Sequence, residues 1–196
     1  MFDKLAIIVW MVWSIVIIAL VLIPLFPNLW RKIGILTYLV LFIFWFPIAY
    51  LILLNQDLII TNVVNFHIIL SFFGFVLIII SLIIHVWVAK LLGIKAIVGY
   101  YVICPDNEKG SLVTSSIFSI VRHPDYLSHI SLWPGFFLLT GSLSLLILTF
   151  LDLIIIYFII IPLEEKHLLQ RFGKEYMDYK KRVPKFFPRI FRRNTS

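Results

Sequence analysis

Two short stretches of the sequence combine residue types that could bind a small charged molecule. Residues 122–126 read Arg-His-Pro-Asp-Tyr. Pro124 suits the first position of a helix, because the N–H that proline lacks has no partner there. The free N–H groups of the following turn, together with the charge of Arg122, would favour an anion such as a carboxylate. The second stretch is Glu164-Glu165, whose carboxylates could bind an ammonium, a sulfonium or a ribose diol.

These two stretches can act together only if the chain between them folds back on itself. The apolar run 126–163 is too long for one helix, and small and polar residues at 140–144 interrupt it near its middle. We therefore predict a tight helical hairpin with spans at about 126–140 and 143–162, each short but sufficient if little tilted. This hairpin would return Glu164 and Glu165 to the side on which residues 122–126 lie.

The composition indicates a membrane protein. Of the 196 residues, 62% are hydrophobic and 14% are charged, which excludes an ordinary soluble domain and a disordered chain. One cysteine cannot form an intrachain disulfide or a multi-cysteine site, and we predict no metal site. Three more apolar segments, 5–26, 33–54 and 67–92, are long enough to cross a bilayer. The predicted fold is an all-α integral membrane protein with five transmembrane helices, the last two forming the hairpin, and a cytosolic pocket.

Lysines and arginines other than Lys4 fall on one side of the membrane if the five spans alternate in direction. They flank the first and third loops, and ten of the 17 lie in the tail after residue 163. The amino terminus is therefore expected outside, and the tail in the cytosol. We divide the chain into a three-span region, 1–93, and a C-terminal region, 94–196, that form one structural unit.

The tail is predicted to be helical rather than a free polycation. Apolar residues recur in it at steps of three and four: Leu168, Phe172, Tyr176 and Tyr179. Gly173 is expected to end the first tail helix, and Pro184 and Pro188 to stop the second. A basic amphipathic helix beside a bilayer binds anionic lipid headgroups. We favour that partner over nucleic acid as the explanation of the formal charge of +7.

The C-terminal half carries several motifs in one order. They are Leu-Val-Thr at 112–114, Arg-His-Pro-Asp-Tyr at 122–126, Glu-Glu at 164–165, Phe-Gly-Lys-Glu-Tyr at 172–176 and Arg-Val-Pro at 182–184. Over about residues 110–188 this pattern resembles the isoprenylcysteine carboxyl methyltransferase family, whose pattern is shared in part by membrane phospholipid methyltransferases. The resemblance implies an integral membrane methyltransferase that uses S-adenosyl-L-methionine from a cytosol-facing pocket. It also implies a lipophilic substrate that enters sideways from the bilayer.

The resemblance further implies the roles of individual residues. The cofactor-binding residues would be Leu112, Val113, Phe118, His123, Pro124, Asp125, Tyr126 and Glu164. Arg122 and Glu165 are assigned to catalysis, and His129 and Ile160 to the substrate. The sequence departs from the family's usual residues at four positions: Gly110 for histidine, Phe118 for tyrosine, Ser128 for glycine, and Ile160 for an arginine that faces the substrate.

The sequence is compatible with more than one class of methyl acceptor. Our first expectation is the carboxylate of an isoprenylated cysteine, which needs no general base. The alternative is a phospholipid amine of the phosphatidylethanolamine type or another lipophilic acceptor, for which His123 or Glu165 could remove a proton. A non-enzymatic alternative is a small ion-coupled transporter subunit, suggested by Asp152, His85 and Lys90 within apolar spans. We interpret Asp152 as a group that holds helices together.

Overall fold

The computed structural model describes residues 3–60, 62–104 and 111–186. Within these ranges every regular element is helical, apart from one isolated bridge between Val63 and Ser142. Gly110, Pro188 and the arginines at 189, 192 and 193 lie outside the described residues. The helices are α1 (Asp3–Leu25), α2 (Pro27–Ile33), α3 (Thr37–Leu54), α4 (Gln56–Ile60), α5 (Ile68–Leu92), α6 (Ile94–Ile97), α7 (Tyr100–Ile103), α8 (Pro124–Thr140), α9 (Leu143–Ile155), α10 (Ile161–Phe172) and α11 (Lys174–Arg182).

In the part of the chain that the structure describes, four helical segments are long and apolar enough to cross a membrane. They are Lys4–Leu25, Pro27–Leu54, Ile68–Leu92 and Leu143–Phe172. The chain is therefore an all-α protein of the multi-pass membrane type. The predicted span 126–140 coincides with α8, which has 17 residues. At 1.5 Å per residue this is about 26 Å, less than the ~30 Å of a bilayer core, so the count of five spans stays a prediction.

The predicted hairpin is present between α8 and α9. Gly141 forms its tip with a left-handed φ of 74°, and its carbonyl accepts a hydrogen bond of 2.9 Å from the Val64 N–H. A Cβ at this position would lie 2.0 Å from the Val64 carbonyl oxygen. Only glycine therefore fits this position, where positive φ and close backbone contact coincide.

Helices α5 and α8 pack with unusually close backbones. A Cβ added to Gly74 would lie 2.7 Å from the Gly135 carbonyl oxygen, and one added to Gly135 would lie 2.9 Å from the Gly74 oxygen. Small residues allow such an approach between membrane helices. This contact fixes which side chains of α5 face the start of α8.

The last long helix does not stop where the sequence suggested. Its apolar run was predicted to end at about 162, but the helix continues through a π-helical turn, Ile156–Ile160, into α10. The wider turn accommodates Pro162, whose ring would clash with a carbonyl one turn earlier in a regular α-helix. Glu164 and Glu165 are therefore held on a rigid helix rather than at a frayed end.

The tail folds against the rest of the protein. As predicted, α10 ends at Phe172 before Gly173, and α11 ends before Pro184. The apolar face of the tail forms a cluster in which Tyr176 and Tyr179 are buried and Leu112 packs at the edge. The tail therefore covers the segment that precedes α8.

Candidate functional site

The start of α8 is tied to the end of the tail through the backbone. The Arg122 N–H donates to the Pro184 carbonyl at 2.8 Å, and the His123 N–H donates to the Lys185 carbonyl at 3.3 Å. Pro124 is the first residue of α8, as predicted. These bonds fix residues 122 and 123 directly beneath α11.

Glu165 is the centre of the polar cluster that results. Its Oε1 accepts a hydrogen bond of 2.7 Å from Arg122 Nη2, and its Oε2 accepts one of 2.6 Å from Lys180 Nζ. The Nε2 atom of His123 lies 3.3 Å from Oε1. Arg122 also donates from Nη1 to the Lys180 and Val183 carbonyls. Arg122 and Glu165 are both buried, so each charge depends on the other for stabilisation. Their contacts join the start of α8 to α10 and α11.

His123 lies between the two glutamates. Its Nδ1 is 3.4 Å from Glu164 Oε2, and its side chain is 3% exposed. Burial disfavours the charged imidazolium, but the hydrogen bonds and charges of Glu164 and Glu165 outweigh burial and raise the pKa of His123 above its usual value. The cluster therefore favours the protonated, cationic form of His123.

Three buried polar atoms at the cluster have no hydrogen-bond partner among the described residues. They are Arg122 Nε, Glu164 Oε2 and the Tyr176 hydroxyl. Burial, reinforced by the charge of Glu165, raises the pKa of Tyr176, so its hydroxyl stays a donor at neutral pH. Unpaired buried polar atoms are costly. An acceptor and two donors in one place fit a ligand that carries both a cationic and an anionic group.

Aromatic rings border the cluster. The His123 ring stacks on Tyr126, with centroids 5.8 Å apart, and Phe186 lies 6.5 Å from His123. Phe118 is buried, and its carbonyl accepts a hydrogen bond of 2.7 Å from the Tyr179 hydroxyl. The rings of Tyr126 and Phe186 thus border His123, and the role of Phe118 in cofactor binding stays a prediction.

The structure brings part of the predicted site together and leaves other residues apart. Residues 122–124, Tyr126, Glu164 and Glu165 converge, while Leu112 packs beneath the tail and Val113 is half-buried beside it. Asp125 turns away, with its Oδ1 2.5 Å from His85 Nδ1. The cofactor-binding roles of Leu112, Val113 and Asp125 stay predictions.

The two residues assigned to the substrate lie inside the bundle. Ile160 is 1% exposed in an apolar cluster with Tyr126, Ile156 and Ile161. His129 is buried, and its Nδ1 lies 3.2 Å from Asp152 Oδ2. The indole N–H of Trp13 donates to the other Asp152 oxygen at 2.8 Å. Asp152 thus holds α1, α8 and α9 together, as interpreted from the sequence. It does so through Trp13 and His129.

Sequence reasoning missed Lys180 and the hydroxyl of Tyr176. Lys180 counted only as one of many tail charges, and Tyr176 only as part of an apolar face. Their positions at i and i+4 on α11 place both on one side of the helix, a signal that could have indicated a shared partner.

The described residues also form an apolar groove outside the polar cluster. It has a volume of about 450 Å³ and is lined by α5 residues Ile79, Leu82, Ile83, Val86, Trp87 and Lys90. Five of these six side chains are apolar, and Lys90 stands at the end of the groove nearest the end of α5. The described residues contain no cluster of three or more metal-ligating side chains that could hold a metal ion.

Comparison with known proteins identifies several relatives. One is the nickel-cobalt-cadmium resistance protein NccN of Alcaligenes xylosoxydans xylosoxydans, 37% identical over 84 residues, which are 43% of this chain and 39% of the relative. The cobalt-zinc-cadmium resistance protein CzcN of Cupriavidus metallidurans is 32% identical over 84 residues, 43% of this chain and 38% of the relative. The protein-S-isoprenylcysteine O-methyltransferase of Saccharomyces cerevisiae is 37% identical over 79 residues, 37% of this chain and 30% of the relative.

The matched stretch thus spans between 30% and 39% of the length of these relatives. No solved structure matches the chain significantly. The model of the family described as "Phospholipid methyltransferase" matches residues 69–175, which are more than half of the chain and contain the start of α8 and both glutamates. This chain therefore belongs to the phospholipid methyltransferase family.

Proposed function

We propose that this chain is a membrane methyltransferase that uses S-adenosyl-L-methionine to methylate a lipophilic acceptor. The observation that carries the proposal is the convergence of residues 122–124 and Tyr126 with Glu164 and Glu165, at a place where Glu164 Oε2 has no hydrogen-bond partner among the described residues. Family membership supports the same reaction class.

The donors and acceptors at the cluster fit this cofactor. Glu164 would hold its cationic groups, while Arg122 Nε and the N–H groups of the first turn of α8 would hold its carboxylate. The rings of His123 and Tyr126 would border it. When bound, the cofactor supplies an electrophilic methyl group on a sulfonium.

The remaining residues of the cluster position this site rather than react. Arg122 and Glu165 were predicted to be catalytic, yet each makes at least three contacts that join the start of α8 to the tail. We infer that they hold Glu164 and His123 in place and exclude water, because methyl transfer depends mainly on alignment and a dry site.

Two acceptors remain candidates. The carboxylate of an isoprenylated cysteine is supported by the yeast relative, whose printed name is protein-S-isoprenylcysteine O-methyltransferase. A phospholipid amine is supported by the family model and by Ile160, which lies in an apolar cluster and offers no positive charge to a carboxylate.

The acceptor would enter from the bilayer, and the groove along α5 suits a hydrocarbon chain whose headgroup lies near Lys90. We infer that the amino terminus lies outside and the tail in the cytosol, where its basic residues would bind anionic lipids.

The proposal is tested with purified protein in detergent and methyl-labelled cofactor. Separate pools of farnesylated cysteine and phosphatidylethanolamine are offered, and label is expected in one of them. Label in neither pool, together with no binding of S-adenosylhomocysteine by calorimetry, would contradict the proposal and favour a transporter subunit or a structural protein.

A further inference from the structure

A second polar group lies between α5 and α8, beside the proposed cofactor site. The Nδ1 atom of His85 is 2.5 Å from Asp125 Oδ1. The Ser128 hydroxyl donates to the Asp125 carbonyl and lies 3.1 Å from both ring nitrogens of His85. We assign the His85 proton to Nδ1, because Asp125 Oδ1 accepts there, and the Ser128 proton to the Asp125 carbonyl, so that Nε2 carries the lone pair of the ring. A carboxylate-oriented imidazole of this kind is a proton acceptor.

The His85 ring adjoins the aromatic wall of the site. Ring contacts run from His123 to Tyr126 at 5.8 Å, from Tyr126 to His129 at 6.1 Å, and from His129 to His85 at 5.4 Å. Asp125 itself is the second residue after His123. The pair is thus next to the proposed cofactor site and separate from the Glu165 cluster.

His85 is also reachable by a ligand. Its side chain is 29% exposed and that of Asp125 is 32% exposed, whereas His123 and Glu165 are nearly closed off. His85 lies seven residues before the end of α5, about 10 Å along the helix axis. His85 lies on the face of α5 that contacts α8, whereas the apolar groove lies on another face of α5 and does not include His85.

We propose that His85 is the catalytic base for the methyl acceptor, with Asp125 as its positioning residue, and that the acceptor is the ammonium group of a membrane lipid. This inference rests on the proposed function. The lipid ammonium gives one proton to Nε2 of His85: the N–H bond breaks, its electron pair stays on the acceptor nitrogen, and His85 becomes an imidazolium. The nitrogen lone pair would then form the bond to the methyl carbon while the bond between that carbon and the sulfonium breaks, and the electron pair of the broken bond would stay on sulfur in S-adenosylhomocysteine.

The charges around His85 favour an ammonium over a carboxylate. Asp125 contacts the ring directly, and His129, which packs on His85, is itself paired with Asp152. Lys90 is on the same helix but five residues away. The two carboxylates would repel an anionic acceptor and attract a cationic one. A carboxylate acceptor would in any case have no proton to give.

The test compares His85→Gln and Asp125→Asn with the parent protein. With phosphatidylethanolamine in mixed micelles, His85→Gln should lower the rate at least ~100-fold, the usual contribution of a general base. Asp125→Asn should lower kcat ~10-fold with KM unchanged. Binding of S-adenosylhomocysteine should stay within about two-fold in His85→Gln.

A matched control is His67→Asn, which changes a histidine at the other end of α5 and keeps a helix-capping side chain. It should retain the parent rate. If His85→Gln only lowers the melting temperature and leaves the rate unchanged, or lowers methylation of farnesylcysteine equally, the base assignment is wrong.

A readout without cofactor separates this inference from the proposed function. Diethyl pyrocarbonate modifies accessible imidazoles, and modification of His85 is followed by mass spectrometry in cofactor-free protein. Phosphatidylethanolamine micelles should slow modification of His85 several-fold more than phosphatidylglycerol micelles do. Equal protection by the two lipids would overturn the inference even if methyl transfer is observed, and selective protection would support it even if no transfer is detected.

Discussion

Two buried carboxylate clusters on the described residues differ in how completely they are paired. Asp152 is fully buried, and each of its oxygens has a partner: Oδ1 contacts the Trp13 indole and the His129 ring, and Oδ2 contacts the His129 ring. In the cluster at the start of α8, Glu165 is equally well paired, but the neighbouring Glu164 keeps Oε2 without a hydrogen bond among the described residues. A closed cluster joins helices, whereas an incomplete one is prepared for a ligand.

The first prediction concerns Glu165 and has the largest expected effect. Glu165→Ala should lower the free energy of unfolding by about 3–5 kcal/mol, because Arg122 then stays buried without its partner. Thermal unfolding in detergent measures this. Asp178→Ala, which breaks an exposed pair with Lys181, is the control and should cost less than about 0.5 kcal/mol. Equal losses in both variants would show that the Glu165 cluster does not hold the tail.

The second prediction concerns ligand binding at Glu164, the carboxylate that is incompletely paired. Glu164→Gln should weaken binding of S-adenosylhomocysteine ~10–100-fold, a loss of about 1.4–2.7 kcal/mol, because a neutral amide no longer pairs with the ligand ammonium. The melting temperature should change little, because the Glu164 side chain is 40% exposed and its contact with His123 is long, at 3.4 Å. Unchanged affinity by calorimetry would remove Glu164 from the site.

The third prediction concerns Asp152, where we expect the opposite pattern: reduced stability and unchanged binding of S-adenosylhomocysteine. Asp152→Asn should cost about 1–2 kcal/mol of stability, because the amide retains an acceptor for Trp13 but loses the charged partner of His129. Binding of S-adenosylhomocysteine should stay within two-fold. Lost binding with intact stability would place the ligand in the helix bundle instead.

The fourth prediction is the smallest and concerns pH. The pKa of His123 is raised in the folded state, so its contribution to stability is complete below the usual value of 6.5 and is lost as pH rises through the folded-state pKa. The melting temperature of the parent, minus that of His123→Gln, should therefore decrease from about pH 6 to pH 8. A difference that grows with pH would contradict the assigned ion pairs with Glu164 and Glu165.

Local features of the sequence predicted most of the helices that position this site. The segment 67–92 is α5 within one residue, and the signals at Pro124, Gly141 and Gly173 mark real helix boundaries. Apolar length and start or stop residues act locally, so they can be read from the sequence without knowing the packing.

The partners of the site residues could not be predicted in the same way. Arg122 binds the carbonyls of Lys180 and Val183, and a backbone carbonyl is available at every residue, so no residue type marks the contact. The pairing of His85 with Asp125 depends on how α5 and α8 are rotated and shifted, which the contact at Gly74 and Gly135 sets. The continuation of α9 into α10 depends on a π-helical turn that apolar periodicity does not reveal.

The central claim is that the hairpin brings the start of α8 and the glutamates of α10 to one nucleoside site. Ultraviolet cross-linking of methyl-labelled S-adenosyl-L-methionine to the purified protein, followed by peptide mapping, tests it most directly. The account predicts label on peptides from 112–126 and from 161–180, with labelling of both reduced in Glu164→Gln. Label confined to peptides of α1 or α3, or unaffected by that substitution, would contradict it.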